Sequence, residues 1–170
     1  MNGRLARMTE GARQLQQQVT DGSLVRGVLR QHEQDIMEQQ HIQLLSGKGN
    51  DGNDLRPYYT EDLQPHGYFK SQETASNYMA WKEGLDYPYQ VSRNSNAPNL
   101  YINGRFYDEL EVRFEAETVG IMPATGYAAN IMAKYGLNRF GLSALRWQMI
   151  MEQYGVRNEI QQRIKDILLQ

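Results

Sequence analysis

Several carboxylates stand at alternate positions of this chain, a spacing that could suit acid–base catalysis. They are Glu109, Glu111, Glu115 and Glu117, with Arg113 among them. Paired carboxylates can act as general acid and base when their surroundings move one pKa away from its ordinary value. Spaced by two along a strand, these side chains would share its polar side, where solvent keeps carboxylate pKa values ordinary. We therefore expect a solvated face and no catalytic pair.

Histidine is the next candidate, because its ring nitrogens serve as metal ligands and as general bases. The three histidines, His32, His41 and His66, lack the spacing of an H-E-x-x-H or Cys2His2 site. The chain has no cysteine, which excludes thiolate ligands and disulfides. We interpret His32 and His41 as helix-surface or interface residues and His66 as a loop residue.

One acidic loop has some likeness to a calcium-binding loop. Asp51, Asn53 and Asp62 supply oxygen ligands at intervals. Counted from Asp51, however, the position of the essential glycine holds Arg56, and the position of the bidentate glutamate holds Asp62. No phosphate-binding glycine loop and no local nucleophile signature occurs either. The sequence thus predicts no metal, no cofactor and no enzymatic activity.

Composition limits the classes of partner. The 170 residues suffice for one domain with a helical arm, and 40% hydrophobic with 22% charged residues is ordinary for a globular protein. The net charge of -2 leaves no basic patch for phosphates, so we expect the tyrosines Tyr58, Tyr59, Tyr68 and Tyr87 to contact protein instead of bases. No apolar run approaches the roughly 20 residues that span a bilayer, and no signal-peptide core is visible. We expect a soluble protein, made in the cytosol, without a membrane partner.

The carboxylates must be positioned by a β region over about 99–122. Asn103-Gly104 is the residue pair most typical of a tight hairpin turn, and after it Leu110, Val112 and Phe114 alternate with the charged residues. The sequence therefore predicts a three-stranded antiparallel meander. Its strands are expected over Leu100–Ile102, Arg105–Phe114 and Thr118–Met122.

Helices are predicted on both sides of this meander. The first has an apolar stripe at 3-4-3-4 spacing, formed by Leu5, Met8, Ala12, Leu15 and Val19. The others are expected over Ser23 to about Leu45, over Gln72–Glu83 with Ser71 as N-cap, over Thr125–Tyr135, and from Ser143 onward with a break at Gly155. The fold class is α+β, with a long extended loop arm. We expect one compact domain with arms: an N-terminal helical arm (1–46), a loop arm with a short helix (47–98), and the meander with C-terminal helices (99–170).

The order of these features resembles a known family. The motifs are a Gly/Asn/Asp-rich loop at Gly47–Asp54, P-Y-Y at Pro57–Tyr59, Y-M-A-W-K-E-G-L at Tyr78–Leu85, N-L-Y-I-N-G-R-F-Y-D-E-L-E-V at Asn99–Val112 and Y-G-L-N-R-F-G-L-S at Tyr135–Ser143. Over roughly residues 40–168 the chain resembles small virion proteins of tailed bacteriophages, the head–tail connector or tail-completion proteins.

The resemblance implies a structural virion protein at the neck, without catalysis and made in the bacterial host cytoplasm. It implies a homo-oligomeric ring of six or twelve copies, which joins the portal and head to the tail. Portal or other neck and tail proteins would be its partners, and the genome DNA would pass without sequence-specific binding.

Two sets of residues are expected to serve such a ring. The acidic strand face would line the channel and keep DNA from sticking, because like charges repel phosphates; its candidates are Glu109, Glu111, Arg113, Glu115 and Glu117. The loop arm would clasp the neighbouring subunit through aromatic and proline side chains; its candidates are Leu55, Pro57, Tyr58, Tyr59, Tyr68 and Phe69.

Two other functions compete with this one. The chain could be a cytosolic, non-enzymatic adaptor or scaffold that binds a protein partner through its Gln-rich helices, at Gln16–Gln18 and Gln39-Gln40. It could also be a small hydrolase with a carboxylate or histidine site, although no nucleophile–base pair is visible. Symmetry distinguishes the first two, because a neck ring is closed and heterologous while an adaptor is usually a monomer or two-fold dimer.

Overall fold

The fold is α+β, in agreement with the predicted class. A computed structural model describes residues 2–57, 69, 71–115, 118–136 and 140–169, with the side chains of residues 2–4 and 134 excluded. The helices are α1 (Asn2–Thr20), α2 (Ser23–Leu29), a 3-10 turn (Arg30–His32), α3 (Glu33–Leu45), α4 (Gln72–Glu83), α5 (Arg105–Asp108), α6 (Gly126–Tyr135), α7 (Ala144–Glu152) and α8 (Val156–Leu169). The strands are β1 (Leu110–Phe114) and β2 (Val119–Pro123).

Local capping chemistry fixes two helices at the predicted places. The hydroxyl of Ser71 accepts a hydrogen bond from the Thr74 amide at 3.2 Å, and α4 has the predicted bounds. Thr125 caps α6 in the same way, accepting from the Ala128 amide at 3.4 Å. Gly136, at φ 89°, ends α6 because a residue with a side chain rarely adopts that conformation. These predictions are confirmed.

The other helical predictions are confirmed in part. Gly155, at φ 81°, separates α7 from α8 as expected. The helix predicted from Ser23 to about Leu45 is interrupted, because residues 30–32 tighten into a 3-10 turn between α2 and α3.

The hairpin predicted at Asn103-Gly104 does not form. The Asn103 side-chain oxygen instead accepts a hydrogen bond from the Arg105 amide at 3.3 Å, and Gly104, at φ 86°, precedes the single turn α5. The neighbouring residues Phe106 and Tyr107 are both buried. Strand alternation would turn one of them to the opposite face, whereas a helical turn keeps both inside.

The predicted meander is therefore reduced to two strands. Residues 100–102 belong to no strand, and Leu100 adopts a φ of 55° that is uncommon for a residue with a side chain. β1 and β2 pair antiparallel, and the Glu115 amide donates to the Thr118 carbonyl at 2.9 Å. Leu110 and Val112 are buried while Arg113 is exposed, so the predicted alternation holds within β1.

The chain forms two compact units, and each draws on distant parts of the sequence. Unit 1 consists of Met1–Met37, Val112–Gly120 and Trp147–Gln170, and unit 2 consists of Glu38–Glu111 and Ile121–Arg146. The division falls within α3, within the β1–β2 hairpin and within α7. The predicted boundaries after residues 46 and 98 do not coincide with it.

Unit 1 is a helical packing in which α8 contacts both α1 and α2. Leu24, Val28 and Val156 are buried within it. Among residues 5–20 of α1, whose burial the structure describes, Gly11 is buried, and a Cβ added there would lie 2.4 Å from the carbonyl oxygen of Ile167. The backbones of α1 and α8 therefore approach too closely for any side chain at Gly11.

Unit 2 has a core of aliphatic and aromatic side chains. Ring contacts join Tyr101 to Tyr107 at 5.5 Å and Phe106 to Phe140 at 6.0 Å between centroids, both near the edge-to-face geometry that aromatic pairs favour. The fully buried aliphatic residues of this unit include Leu44, Leu45, Leu55, Ala75, Ala97, Ala128 and Met132.

The substitution Gly11→Ala should loosen α1 from α8. The gain in helix propensity is about 1 kcal/mol, whereas overpacking against backbone atoms costs roughly 1–3 kcal/mol. We expect faster amide hydrogen exchange throughout α1 and a net loss of stability. Gly27→Ala is the matched control, because the added methyl would lie 3.1 Å from the flexible Arg163 guanidinium, which can move aside. Unchanged exchange in α1 of the Gly11→Ala variant would contradict the close packing.

Candidate functional site

The charged face predicted on the strand is smaller than expected. Within β1, Glu111 and Arg113 stand on the side opposite the buried Leu110 and Val112, and the exposed Glu115 follows directly. Two acids and one base thus remain of the predicted channel-lining set. Glu117 lies outside the described residues.

Glu109 lies directly before β1, so the prediction that it belongs to the strand face is wrong. Its carboxylate accepts hydrogen bonds from the Thr125 hydroxyl and from Arg105 Nε, the latter at 2.9 Å. These bonds lower the pKa of Glu109, and the same contact with Glu109 raises the pKa of Arg105. Arg105 also lies over the ring of Tyr127, 4.4 Å from its centroid. Glu109 therefore joins α5 to the N-cap of α6 and is not a free surface charge.

The loop arm is only partly accounted for, and one of its candidates is wrong. Leu55 is fully buried, and its amide donates to the Gly47 carbonyl at 2.7 Å, so it belongs to the core of unit 2 and cannot clasp a neighbour. Pro57 is half-buried. Phe69 packs against Tyr78 with 5.0 Å between ring centroids. The candidates outside the described residues are Tyr58, Tyr59 and Tyr68.

In the loop that has some likeness to a calcium site, acidic side chains bond to other residues of the same loop. The Asp51 carboxylate accepts from the Asn53 amide at 3.0 Å, and Lys48 Nζ lies 2.7 Å from the Asp54 carboxylate. The Lys48 bond lowers the pKa of Asp54. Asp62 lies outside the described residues. Among the side chains that the structure describes, no group of three or more His, Asp or Glu could hold a metal ion.

The glutamines of α3 are interior residues, which sequence reasoning missed. Gln40 Oε1 accepts from the Gly141 amide at 3.1 Å, while Gln43 donates to the Gly141 carbonyl and accepts from the Ser143 amide, both at 2.8 Å. Gln39 Oε1 accepts from Arg146 at 2.7 Å. All three glutamines are buried. The prediction that Gln39-Gln40 forms a solvated or partner-binding surface is wrong, because both side chains are buried and form hydrogen bonds within unit 2.

The apolar stripe predicted on α1 forms, but little of it is covered. Leu5, Met8 and Val19 expose 65%, 52% and 60% of their surfaces. The helix contacts α8 through the neighbouring face, where Gly11 is buried and Leu15 half-buried. We call Leu5, Met8, Ala12 and Val19 the α1 seam. In unit 1 it is a row of large apolar side chains facing solvent, which is the usual mark of an interaction surface.

His32 is held between two carboxylates within unit 1. Its Nδ1 lies 2.7 Å from the Asp35 carboxylate and its Nε2 lies 3.0 Å from the Glu159 carboxylate. Both ring nitrogens can donate only when the imidazole is protonated. Burial disfavours the charged ring, but the hydrogen bonds that the ring donates to Asp35 and Glu159 outweigh this effect and raise the pKa of His32 above its ordinary 6.5. The imidazole of His32 thus joins α8 to the start of α3.

His41 has the opposite environment, within unit 2. Its ring meets the edge of Tyr107 with 5.0 Å between centroids. Burial lowers the pKa of His41, and a hydrogen bond with the Tyr107 backbone offsets only part of that effect. Burial thus favours the neutral form of His41 in the folded unit. His66 lies outside the described residues.

The contribution of His32 to stability should disappear as the pH rises. The pKa of His32 is higher in the folded chain than in the unfolded chain. Its contribution to the stability of the fold is therefore fully present below about pH 6.5 and is lost as the pH rises through the pKa of the folded chain. The difference in free energy of unfolding between the wild type and His32→Gln, measured with urea, should therefore shrink from about pH 5.5 to about pH 8.5.

His41→Gln provides the control of opposite sign. The lowered pKa of His41 means that its neutral form stabilises above about pH 6.5 and that this effect is lost as the pH falls. The difference between the wild type and His41→Gln should grow with pH. Parallel pH profiles for the two variants would contradict the assignment of His32 as a charged bridge.

Among the helices of the described residues, none has both the length and the apolar content needed to cross a bilayer.

Comparisons of the chain with models of protein families, with curated proteins and with solved structures give no match.

Proposed function

We propose that this chain is a structural, non-catalytic virion protein of a tailed phage. It acts as one subunit of a homo-oligomeric ring at the neck, between the portal and head on one side and the tail on the other. The proposal combines the family resemblance of the sequence with one observation, the exposed apolar seam of α1. A protein that leaves such a row of side chains in water is expected to cover it by assembly.

The spacing of the α1 seam indicates what covers it. The seam residues Leu5, Met8, Ala12 and Val19 are 3, 4 and 7 residues apart, a heptad spacing by which one helix packs its side chains between those of another. The 19 residues of α1 give this stripe several turns of length. The chain itself is rich in helices, and a ring repeats one heterologous contact between identical copies. The occupant of the seam is therefore a helix of the neighbouring copy.

The hairpin supplies the surface proposed to face DNA. Glu111, Arg113 and Glu115 carry one net negative charge on the side of β1 that turns away from its buried residues. A surface without excess positive charge gives phosphates no site to hold, since DNA affinity depends on neutralising them. Such a face allows the genome to slide past without being bound.

The adaptor function has less support than the ring. It depends on glutamine side chains that are free to meet a partner, yet Gln39 and Gln40 bond within unit 2. Only the glutamines of α1 remain for it, at residues 16–18. We therefore retain the ring as the proposed function.

Charge placed in the α1 seam should prevent assembly. We expect the purified wild type to form a closed oligomer of six or twelve copies in light scattering coupled to size exclusion. The double variant Leu5→Glu/Met8→Glu should be monomeric, because ionised carboxylates are too costly to bury in an apolar contact. Both side chains are exposed, so the monomer should retain its helical circular dichroism.

Gln17→Glu is the matched control for this experiment. Gln17 is exposed and lies on the other side of α1, so the same new side chain there should leave the oligomer intact. Equal masses for the wild type and the seam variant would refute the seam as the assembly contact. A wild type that is monomeric at all concentrations would refute the ring.

The neck position is tested by immunogold labelling of virions that contain the chain, intact and with tails detached. Gold at a single vertex, at the head–tail junction, is the expected result. Particles without label, with the protein left in the host lysate, would exclude the neck and favour the adaptor.

A further inference from the structure

Unit 2 contains a cavity that the proposed function does not use. Its volume is about 380 Å³, within the range of small-molecule sites. The walls are mostly aromatic and aliphatic. The residues that line it, all from unit 2, are Phe69, Tyr78, Lys82, Leu100, Ile102, Asn103, Phe106, Tyr127, Ile131 and Tyr135.

Lys82 is the one charged side chain among these lining residues. It is 1% exposed, and its ammonium donates to the Tyr101 carbonyl. An ammonium has three hydrogens, and among the described residues no carboxylate lies within ion-pair distance of Lys82. A buried cation is normally paired, because removing a charge from water without a counter-charge is costly. The cavity therefore presents a cation whose counter-charge is not supplied by the described part of the chain.

The surroundings of Lys82 add no negative charge to the cavity. Burial and the nearby charge of Arg93 lower the pKa of Lys82 to about 8, and Glu83 acts in the opposite direction. Burial also raises the pKa of Tyr135 to about 12, so its phenol remains neutral. At neutral pH the lysine is thus mostly charged, in a cavity whose other described walls carry no charge.

The mouth of the cavity is open to a ligand. Ile102, on its wall, is 54% exposed, and Asn103 beside it is also exposed. The side-chain oxygen of Asn103 accepts a hydrogen bond from the Arg105 backbone amide. The side-chain NH2 group of Asn103 takes no part in that bond. The lining therefore includes exposed residues as well as the buried Lys82, so the cavity is not sealed from solvent.

We propose that this cavity binds a small aromatic carboxylic acid, whose ring lies among the aromatic walls and whose carboxylate pairs with Lys82. The walls match a flat apolar body, and the unpaired buried ammonium matches a single negative charge. The inference concerns unit 2 alone and does not depend on the α1 seam or on ring formation.

Isothermal titration calorimetry with 2-naphthoate, and with the uncharged 2-naphthamide as comparison, tests the proposal. The full-length wild type should bind 2-naphthoate at one site per chain, and should bind the amide about tenfold more weakly or worse, because the charge-assisted bond is lost. No detectable binding of 2-naphthoate, or equal affinity for the two compounds, would overturn the proposal.

Two variants locate the site. Lys82→Met keeps the apolar stem and removes the charge, and should reduce the affinity for 2-naphthoate about tenfold or more without affecting 2-naphthamide. Lys165→Met, in α8, is its control and should bind like the wild type.

Ile102→Trp keeps the test decisive if Lys82→Met fails to fold. Because Ile102 is half-exposed, a larger side chain there should be tolerated and should block the mouth, so that binding is lost. Leu145→Trp, at an exposed position outside the cavity lining, should bind normally. Normal binding by a folded Ile102→Trp variant would overturn the assignment to this cavity.

The pH dependence provides an independent measurement. The affinity of the wild type for 2-naphthoate should decrease as the pH rises through about 8, where Lys82 loses its proton. Affinity for 2-naphthamide should stay constant over the same range. A pH-independent affinity for 2-naphthoate would show that the bound carboxylate does not meet Lys82 and would overturn the pairing.

Discussion

In unit 2, buried glutamine side chains form hydrogen bonds to an irregular backbone segment. The packing of the unit depends on these bonds. Residues 140–143 lie against a core without a helix or strand to satisfy their polar groups, and a buried backbone group without a partner is strongly unfavourable. Gln40 and Gln43 provide those partners across 98 to 101 residues of sequence. An amide suits this purpose because one side chain both donates and accepts. The start of α7 is thereby set by side chains of α3.

Much of the helical architecture could be predicted because it rests on local chemistry. The caps at Ser71 and Thr125 and the positive-φ glycines at 136 and 155 act within a few residues, so the sequence pattern contains the whole cause. The failed hairpin shows the limit of such patterns. Asn103-Gly104 is equally compatible with an Asx bond that opens a helical turn, and the burial of adjacent aromatic residues decided between the two outcomes.

The His32 bridge and the aromatic cavity escaped prediction for the opposite reason, since each joins residues that are far apart in sequence. Glu159, the second partner of His32, is 127 residues away from it. The aromatic cavity gathers side chains from residue 69 to residue 135, none of which belongs to a recognisable motif for ligand binding. Polarity was also misleading, because buried glutamines and buried Lys82 look in sequence like surface residues. The α1 seam was predicted as a stripe, but its exposure required knowledge of which neighbouring face meets α8.

The interleaving of the two units has a consequence for biosynthesis. A nascent chain leaves the ribosome from its N-terminus, and a compact unit can close only after its last segment has emerged. Unit 2 has all its segments once Arg146 is out, whereas unit 1 must wait for the final helix, α8. Until then α1 can contact α2 but not α8, so one of its packing surfaces within unit 1 stays uncovered. The emergence of α8 would thus separate a growing chain from a subunit whose unit 1 is complete.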